Sequence, residues 1–241
     1  FGIALQQNEF NNGTEFRFFV FDEKDERAVF NSVEKIFTET DGSFGNLLRK
    51  HRAWWKTFWK KSFIAIPDKS IQKYYDLSNY LFGSGSREGE PPMPLQGLWT
   101  KCDGTLPPWK GDYHHDLNTQ FTYCAYLSAN HLSEGKAFID YLWKYKEEFE
   151  KFAREFFGVK GLLVPGVSSL DGKPLGGWPM YALSPTMSIW LAKSFSDYYE
   201  YTEDEIFFEE RVYPFFSEVA EAISGLLYKE NGKFYLPLSS S

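Results

Sequence analysis

The stretch AFIDYLWKYKEEFEKFAREFFG, residues 137–158, carries the clearest helical pattern of the chain. Its large apolar side chains recur every three or four residues, which places them on one face of a helix. They are Phe138, Tyr141, Leu142, Tyr145, Phe149, Phe152 and Phe156. Gly158 follows them, and glycine is the residue at which helices most often stop. The stretch therefore predicts one long helix packed along a core.

Helical spacing of this kind extends through most of the chain after residue 41. Further helices are predicted over about 44–58, 71–82, 116–131, 185–199, 202–214 and 216–227. Ser184 before Pro185 has the form of an N-cap followed by a first-turn proline. Thr202 to Glu205 has the form of a capping box. Asn231-Gly232 is typical of a hairpin turn. The pattern predicts a mainly α fold of antiparallel helices, of which an (α/α) toroid is one example.

The first 40 residues follow a different pattern. In TEFRFFVF, residues 14–21, the side chains alternate with the period of two that is typical of a strand. FGIALQQ, residues 1–7, is its predicted partner, with a turn at 11–13. We expect strands up to residue 22, a helical linker over 23–52 and a helical domain over 53–241. Because the chain begins at Phe1 inside a strand, we also expect it to be a piece of a longer protein.

The composition limits the partners. The net charge of −7 and the pI of about 5.2 argue against nucleic acid or an anionic membrane. No run of 18 apolar residues predicts a membrane span. Two cysteines and four histidines without a CxxC spacing do not predict a zinc site, so we expect neither metal nor cofactor. Aromatic residues make up 20%, which suits either an aromatic core or sugar binding. The oligomeric state and the cellular location stay open.

The stretch PPWKGDYHHDLNTQ, residues 107–120, concentrates polar and aromatic groups. Asp116 and Asn118 are two positions apart, so on an extended segment both side chains face the same way. In the first turn of a helix they lie near the positive end of its dipole. In either case the two side chains are suited to holding a water molecule, with Asp116 as a general base. The alternative is that Asp116 is the N-cap of the next helix.

The neighbours of this pair have alternatives of their own. His114 and His115 are adjacent, so on a strand they face opposite sides, which argues against a shared metal. One of them is expected to bind a ligand or a backbone carbonyl, while the other packs. Trp109 and Tyr113 are suited either to a sugar platform or to the rim of the core. Asp112 follows a glycine and is expected to cap the turn locally.

At this point the sequence resembles a known family. PPMPLQGLW, residues 91–99, followed by PPWKGDYHHDLNTQ, is similar to the family 95 glycoside hydrolases, as are HRAWWKTFWKKSFIAIPD, residues 51–68, and the paired-helix pattern near 198–223. The resemblance implies an inverting α-L-fucosidase-like enzyme. It implies a fold in which the end of a β-sandwich and a helical linker precede the first half of an (α/α)6 barrel. A glycoside or oligosaccharide is then the expected partner.

The resemblance also implies roles for particular residues. In the family an N-x-N motif, assisted by an acidic residue, activates the attacking water, and Asp116 and Asn118 occupy the matching positions. Aspartate replaces the first asparagine, so Asp116 is expected to be the base itself, or the preferred sugar is expected to differ from fucose. His114 takes the position of a sugar-contacting histidine. We expect further substrate contacts from one cleft that includes Trp99, Trp109, Tyr113, Gln120 and Trp178. The general acid is expected after Ser241.

Two other classes of protein fit parts of the pattern. A non-catalytic carbohydrate-binding helical domain keeps the aromatic loops and lacks the base, which the carboxylate of Asp116 argues against. Epimerases and phosphorylases also use (α/α)6 barrels. A phosphorylase requires a phosphate site, and the sequence shows no basic cluster that predicts one.

Overall fold

The computed structural model describes residues 2–21, 31, 33, 35, 44–98, 105, 109, 111–175, 183–237 and 239. The chain divides into two compact units, Phe1–Lys60 and Lys61–Ser241. Within the described residues, no helix is both long enough and apolar enough to cross a membrane. The linker is predicted over 23–52, and of it residues 23–30, 32, 34 and 36–43 lie outside the described residues.

The first unit begins with a two-stranded antiparallel hairpin. Strand β1 (Gly2–Phe10) pairs with β2 (Gly13–Phe21), and the register matches Phe10 with Gly13. Asn11 and Asn12 are left as a two-residue turn, so the predicted hairpin is confirmed. Its apolar side chains stay largely exposed, and Phe18 is 69% exposed. The hairpin thus has an apolar face available for further packing.

Helix α1 (Phe44–Lys60) completes the described part of this unit and confirms the helix predicted over 44–58. Phe58 is its one fully buried side chain, at 1% exposure. The ring of Phe58 stacks on Trp54 at 5.2 Å between centroids and meets Trp55 edge-on at 5.3 Å. Aromatic pairs of this geometry contribute about 0.5–1.5 kcal/mol beyond the area that they bury.

The second unit is mainly α. Its helices are α2 (Lys69–Gly85), α3 (Asn118–Thr122), α4 (Leu132–Lys144), α5 (Lys146–Phe152), α6 (Met187–Thr202), α7 (Glu205–Phe207) and α8 (Tyr213–Leu226). Two short antiparallel pairs join them. They are β3 (Tyr113–His114) with β4 (Val167–Ser168), and β5 (Tyr228–Glu230) with β6 (Lys233–Tyr235). The second pair turns at Asn231-Gly232, both with positive φ, which confirms the predicted hairpin.

One aromatic and aliphatic core holds these helices together. Its fully buried side chains include Phe138, Leu142, Phe149, Leu191, Phe195 and Phe215. Phe195 of α6 stacks on Phe215 of α8 at 4.4 Å between ring centroids. Burying a side chain of this size contributes about 1.5–3 kcal/mol, so the packing of α4, α6 and α8 against one another is the main support of the unit.

The stretch 137–158 forms two helices where the sequence predicts one. Helix α4 begins earlier, at Leu132, and a break at Tyr145 separates it from α5. Tyr145 has non-helical backbone angles because its side chain packs edge-on against Tyr141, at 5.2 Å, and closely against Gly172. A π-helical turn, Ala153–Phe157, extends α5. Gly158 then adopts φ 71°, so the predicted glycine stop is confirmed.

The helix predicted from Asp116 to His131 is wrong beyond Thr122. Helix α3 ends at Thr122 and irregular turns follow it. Tertiary contacts explain the difference, because this segment buries two tyrosines. The Tyr123 hydroxyl accepts a hydrogen bond from the Met93 backbone N–H at 2.9 Å and shares a second one with Ser86. The Tyr126 ring fills the space that Gly135 leaves open on α4.

Two predicted helix starts are displaced by two residues. Helix α6 has Thr186 at its N-cap position instead of Ser184, and a tight turn at 184–186 precedes it. Helix α7 is capped by Asp204, whose Oδ1 accepts from the Phe207 N–H at 3.0 Å. Thr202 instead ends α6 and donates its hydroxyl to the Tyr198 carbonyl. The predicted break near Pro214 is a π-helical turn, Phe208–Val212, that leads into α8 without interruption.

Candidate active site

The polar stretch 109–120 is fixed to the rest of the unit through its backbone. Tyr113 and His114 pair with Ser168 and Val167 in the β3–β4 ladder. The ladder continues one residue further, because the His115 N–H donates to the carbonyl of residue 166 at 2.7 Å. This pairing holds the backbone up to Asp116 in one position.

Side chains of helix α3 hold the same segment from its other side. Thr119 Oγ1 donates to the His114 carbonyl, and Gln120 Nε2 donates to the His115 carbonyl, each at 2.6 Å. Both donors are at least 95% buried. The two carbonyls immediately before Asp116 are thus held by α3, while the backbone N–H of His115 is held by β4. We call this arrangement, residues 113–120 with 166–168, the clamp.

Asp116 is not the N-cap of the next helix. The N-cap position of α3 is Leu117, and no side chain makes a capping hydrogen bond there. Asp116 Oδ1 is buried and has no hydrogen-bond partner among the described residues. Asn118 is the exposed first residue of α3. The N-cap alternative is therefore wrong, and the clamp presents a carboxylate that no described hydrogen bond of the fold uses.

His114 and Asp112 form a second polar pair beside Trp109. His114 Nε2 lies 3.3 Å from Asp112 Oδ1, and both side chains are mostly buried. The Trp109 and His114 rings meet edge-on at 5.3 Å between centroids. Asp112 thus directs its carboxylate at His114, which differs from the predicted local cap. The contact between Nε2 and Oδ1 does not have hydrogen-bond geometry. The imidazole thus lies between a carboxylate and an indole ring, a position that suits recognition of a ligand hydroxyl.

His115 has different neighbours from His114, as predicted for adjacent residues of a strand. Its Nε2 lies 2.9 Å from Ser168 Oγ, and Ser168 Oγ lies 2.8 Å from Tyr141 Oη. Burial, together with a smaller effect of the adjacent His114, lowers the pKa of His115 to about 3. His115 is therefore neutral at ordinary pH. Sequence reasoning missed Ser168 and Tyr141. Ser168 is 53 positions from His115 and 27 from Tyr141, and no local sequence pattern links residues that far apart.

Tyr113 belongs to the core. Its side chain is 2% exposed, its hydroxyl donates to the Pro92 carbonyl at 2.9 Å, and burial raises its pKa. Of the two alternatives for this residue, the structure thus favours the core over the sugar platform. Trp109 is half-buried, whereas Gln120 is 5% exposed. Trp99 and Trp178, predicted to line the same cleft, lie outside the described residues.

Among the described residues, no group of three or more His, Cys, Asp or Glu side chains has the arrangement needed to hold a metal ion. A cleft of about 400 Å³ lies elsewhere in the unit, lined by Glu150, Arg154, 159–161, Glu218 and Glu221. Asp116 does not line that cleft, so the size of the cleft does not identify the active site. The Asp116 carboxylate, which no described hydrogen bond uses, is the better indication of where the active site lies.

Comparisons with known proteins bear on this arrangement. The model of the glycosyl hydrolase family 95 catalytic domain matches residues 50–241. Alpha-L-fucosidase 2 of Arabidopsis thaliana is 30% identical over 157 residues, which are 64% of this chain and 18% of that protein. "Probable alpha-fucosidase A" of Aspergillus niger is 29% identical over 218 residues, which are 86% of this chain and 25% of that protein. The chain thus spans a quarter or less of the length of these two relatives.

A solved structure has a similar fold. "Putative kojibiose phosphorylase from human microbiome" aligns with a TM-score of 0.71 at 18% identity, covering 88% of this chain and 28% of that one. At this level of identity the likeness concerns the fold alone, and it agrees with the mainly α architecture described above.

Proposed function

The chain belongs to the catalytic-domain family of glycosyl hydrolase family 95, and from that membership we propose that the protein hydrolyses a glycoside by attack of an activated water. One observation assigns the activation of the water to a particular residue, Asp116. The clamp holds the backbone next to Asp116, and the buried Oδ1 of its carboxylate has no hydrogen-bond partner among the described residues. A carboxylate oxygen that accepts no hydrogen bond from the fold is available to take the proton of a water molecule, as a general base does.

Asp116 takes the proton of the water in this proposal, and Asn118 helps to orient the same water. Asp116 replaces an asparagine of the family motif, so it combines the position of that residue with the basicity of a carboxylate. Attack on the anomeric carbon from this side inverts its configuration. The two catalytic groups of an inverting enzyme are about 6.5–9.5 Å apart, which leaves room for the water. We assign the proton donor to no residue of this chain.

The substrate contacts proposed around this pair are His114, Trp109, Gln120, Trp99 and Trp178. His114 is supported by its position between Asp112 and Trp109. Trp109 is supported by its half-buried indole ring, which is suited to the apolar face of a sugar. Because the two relatives are named as fucosidases, an α-L-fucoside is the substrate to test first. Tyr113 supports the site from the core and makes no proposed contact.

The proposed architecture follows the family. We infer that residues 1–22 are the last strands of a β-sandwich, residues 23–52 a helical linker and residues 53–241 the first half of an (α/α)6 barrel. The exposed apolar face of the β1–β2 hairpin supports the sandwich, because such a face requires a second sheet to cover it. The mainly α fold of the second unit supports the barrel.

Hydrolysis of an aryl α-L-fucoside by the full-length protein tests the proposed function. We expect release of fucose at a rate that does not change when inorganic phosphate is added. A rate proportional to phosphate, with a sugar phosphate as product, would instead assign the protein to the phosphorylases. Binding of fucose without any turnover would assign it to the non-catalytic sugar-binding domains.

A further inference from the structure

A chain of three hydrogen bonds runs from the clamp residues His115 and Ser168 to Tyr141. It determines where the protons of these three side chains lie. Tyr141 Oη is 2.8 Å from the Ser169 carbonyl oxygen, which accepts and cannot donate, so the phenol proton points to that carbonyl. Tyr141 Oη then accepts from Ser168 Oγ, 2.8 Å away. Because the Ser168 proton is used in this bond, Ser168 Oγ accepts from His115 Nε2 at 2.9 Å. We call Tyr141, Ser168 and His115 the relay.

The relay selects one tautomer of His115. A neutral imidazole carries one N–H group, and the relay places it at Nε2. Nδ1 is then a bare acceptor. It is buried, the whole residue is 0% exposed, and no group in the part of the chain that the structure describes donates to it. In the opposite tautomer Nε2 accepts from Ser168, and Ser168 accepts from Tyr141, so the phenol proton no longer points to the Ser169 carbonyl. The phenol oxygen and that carbonyl oxygen are then two acceptors 2.8 Å apart, which is unfavourable.

Two further buried atoms near His115 are acceptors without a donor. They are Asp116 Oδ1 and Gln120 Oε1, and the amide of Gln120 lies against the His115 carbonyl. A buried polar atom without a partner costs about 1–3 kcal/mol, so a donor from outside the protein is required. Water supplies two donors and commonly fills such positions. Inorganic phosphate at neutral pH carries one or two O–H donors, but it is an anion and a carboxylate repels it.

We propose that His115 Nδ1 binds an ordered water molecule, and that His115 is a positioning residue for the water side of the site. The proposal rests on the proposed function in one respect, since Asp116, the residue next to His115, is the proposed base. Ser168 and Tyr141 act through His115, because they keep the proton at Nε2 and leave Nδ1 free to accept. The nucleophilic side of the site is thereby better suited to water than to an anion such as phosphate.

The tautomer is measurable without any substrate, so failure of this inference and failure of the proposed function are separate results. The chain has four histidines, and ¹⁵N NMR of histidine-labelled protein distinguishes a protonated ring nitrogen from a bare one. A His115→Gln spectrum assigns the His115 signals. We expect Nε2 protonated and Nδ1 bare between pH 5 and pH 8. A proton on Nδ1 in the unmodified protein would overturn the inference.

Two matched variants test the relay itself. Tyr141→Phe removes the acceptor of the Ser168 proton, so Ser168 is free to donate to His115 Nε2, and the population with a proton on Nδ1 should rise severalfold. Tyr145→Phe is the control, because Tyr145 packs on Tyr141 at 5.2 Å and lies outside the relay. Identical His115 spectra for Tyr141→Phe and the unmodified protein would contradict the relay. Since the unmodified spectrum already determines the tautomer, a variant that fails to fold leaves the test intact.

Two further measurements test the bound water, a crystal structure and the kinetics of Tyr141→Phe. A high-resolution crystal structure should show an ordered water within about 3 Å of His115 Nδ1, and an empty position there would overturn the inference. In the active protein, Tyr141→Phe should lower kcat by about tenfold or more at unchanged KM, because misplacing a reacting group by a fraction of an ångström slows the chemical step. An unchanged kcat, or a change confined to KM, would remove His115 from the positioning role.

Discussion

At the scale of single residues, Asp116 is the centre of the account. Its carboxylate is neither the cap of α3 nor part of an ion pair among the described residues, and its Oδ1 has no donor from these residues. The clamp fixes the backbone that precedes it through Thr119, Gln120 and the β3–β4 ladder. Because Oδ1 accepts no hydrogen bond from the described residues, the carboxylate of Asp116 is available to accept a proton.

Asp116→Asn separates a base from a structural carboxylate. We expect kcat to fall by about 10²–10⁴-fold, which is the usual contribution of general base catalysis. Binding of the product sugar should change little, since the base acts mainly in the transition state. Initial rates and product binding of the variant in the full-length protein check this. Asp76→Asn, an exposed aspartate on α2, is the control for loss of one charge. An unaltered rate in Asp116→Asn would reject the base and leave Asn118 as the residue that orients the water.

His115 makes the stability of the protein depend on pH. The unfolded chain takes up a proton near the ordinary histidine pKa of 6.5, whereas burial lowers the native pKa to about 3. Stability from this residue is therefore complete above pH 6.5 and is lost as the pH falls below it, at about 1.4 kcal/mol per pH unit. Urea unfolding at pH 7, 6, 5 and 4 measures the loss.

The non-titrating variant His115→Gln isolates this contribution. The difference in unfolding free energy between the unmodified protein and the variant should shrink as the pH falls, because Gln takes up no proton in either state. Parallel stability curves for the two proteins would mean that His115 is not buried as a neutral imidazole.

At the scale of secondary-structure elements, close packing between neighbours decides more than local sequence. Gly135 of α4 leaves room for the Tyr126 ring, and a Cβ at this position would lie 2.1 Å from the ring. Gly135→Ala should therefore destabilise the protein by about 1–3 kcal/mol, the usual cost of overpacking. Gly45→Ala in α1 is the matched control, because nothing lies within 4 Å of the added methyl group. Thermal or urea unfolding compares them, and equal stabilities of the two variants would contradict the packing described for α4.

The same contacts explain how far the sequence predicts the elements. The β1–β2 hairpin, helix α1, the stop at Gly158 and the turn at Asn231-Gly232 follow from neighbours in the chain, and all were predicted. The break at Tyr145 depends on Tyr141 and Gly172. The end of α3 depends on what Tyr123 contacts at Met93 and Ser86. Contacts of that range leave no periodic pattern in the sequence.

The candidate site shows the same division. The polar stretch itself, with Asp116, Asn118 and His114, is visible in the sequence because its residues are adjacent. Thr119, Ser168 and Tyr141 were missed, since nothing in their own surroundings distinguishes them from ordinary core residues. The partners of the two histidines, Asp112 for His114 and Ser168 for His115, also could not be predicted from the sequence. They depend on which side of β3 each ring occupies.

At the scale of the whole molecule, family membership and the site residues support the same proposal, hydrolysis of a glycoside. The chain matches the family 95 catalytic domain over residues 50–241 and has a fold similar to that of a sugar-active protein. A fold of this kind is shared by several sugar chemistries, so the fold alone does not select one. The selection depends on the nucleophile, and the clamp provides hydrogen-bond acceptors at residues 115, 116 and 120, which suit water better than phosphate.

The configuration of the first product is the most direct test of water attack opposite the leaving group. Proton NMR during the first minutes of aryl α-L-fucoside hydrolysis by the full-length protein distinguishes the two anomers before they interconvert. The account predicts β-L-fucose as the first product, with the α-anomer appearing later by mutarotation. α-L-Fucose as the first product, or a fucose phosphate formed in phosphate buffer, would contradict it.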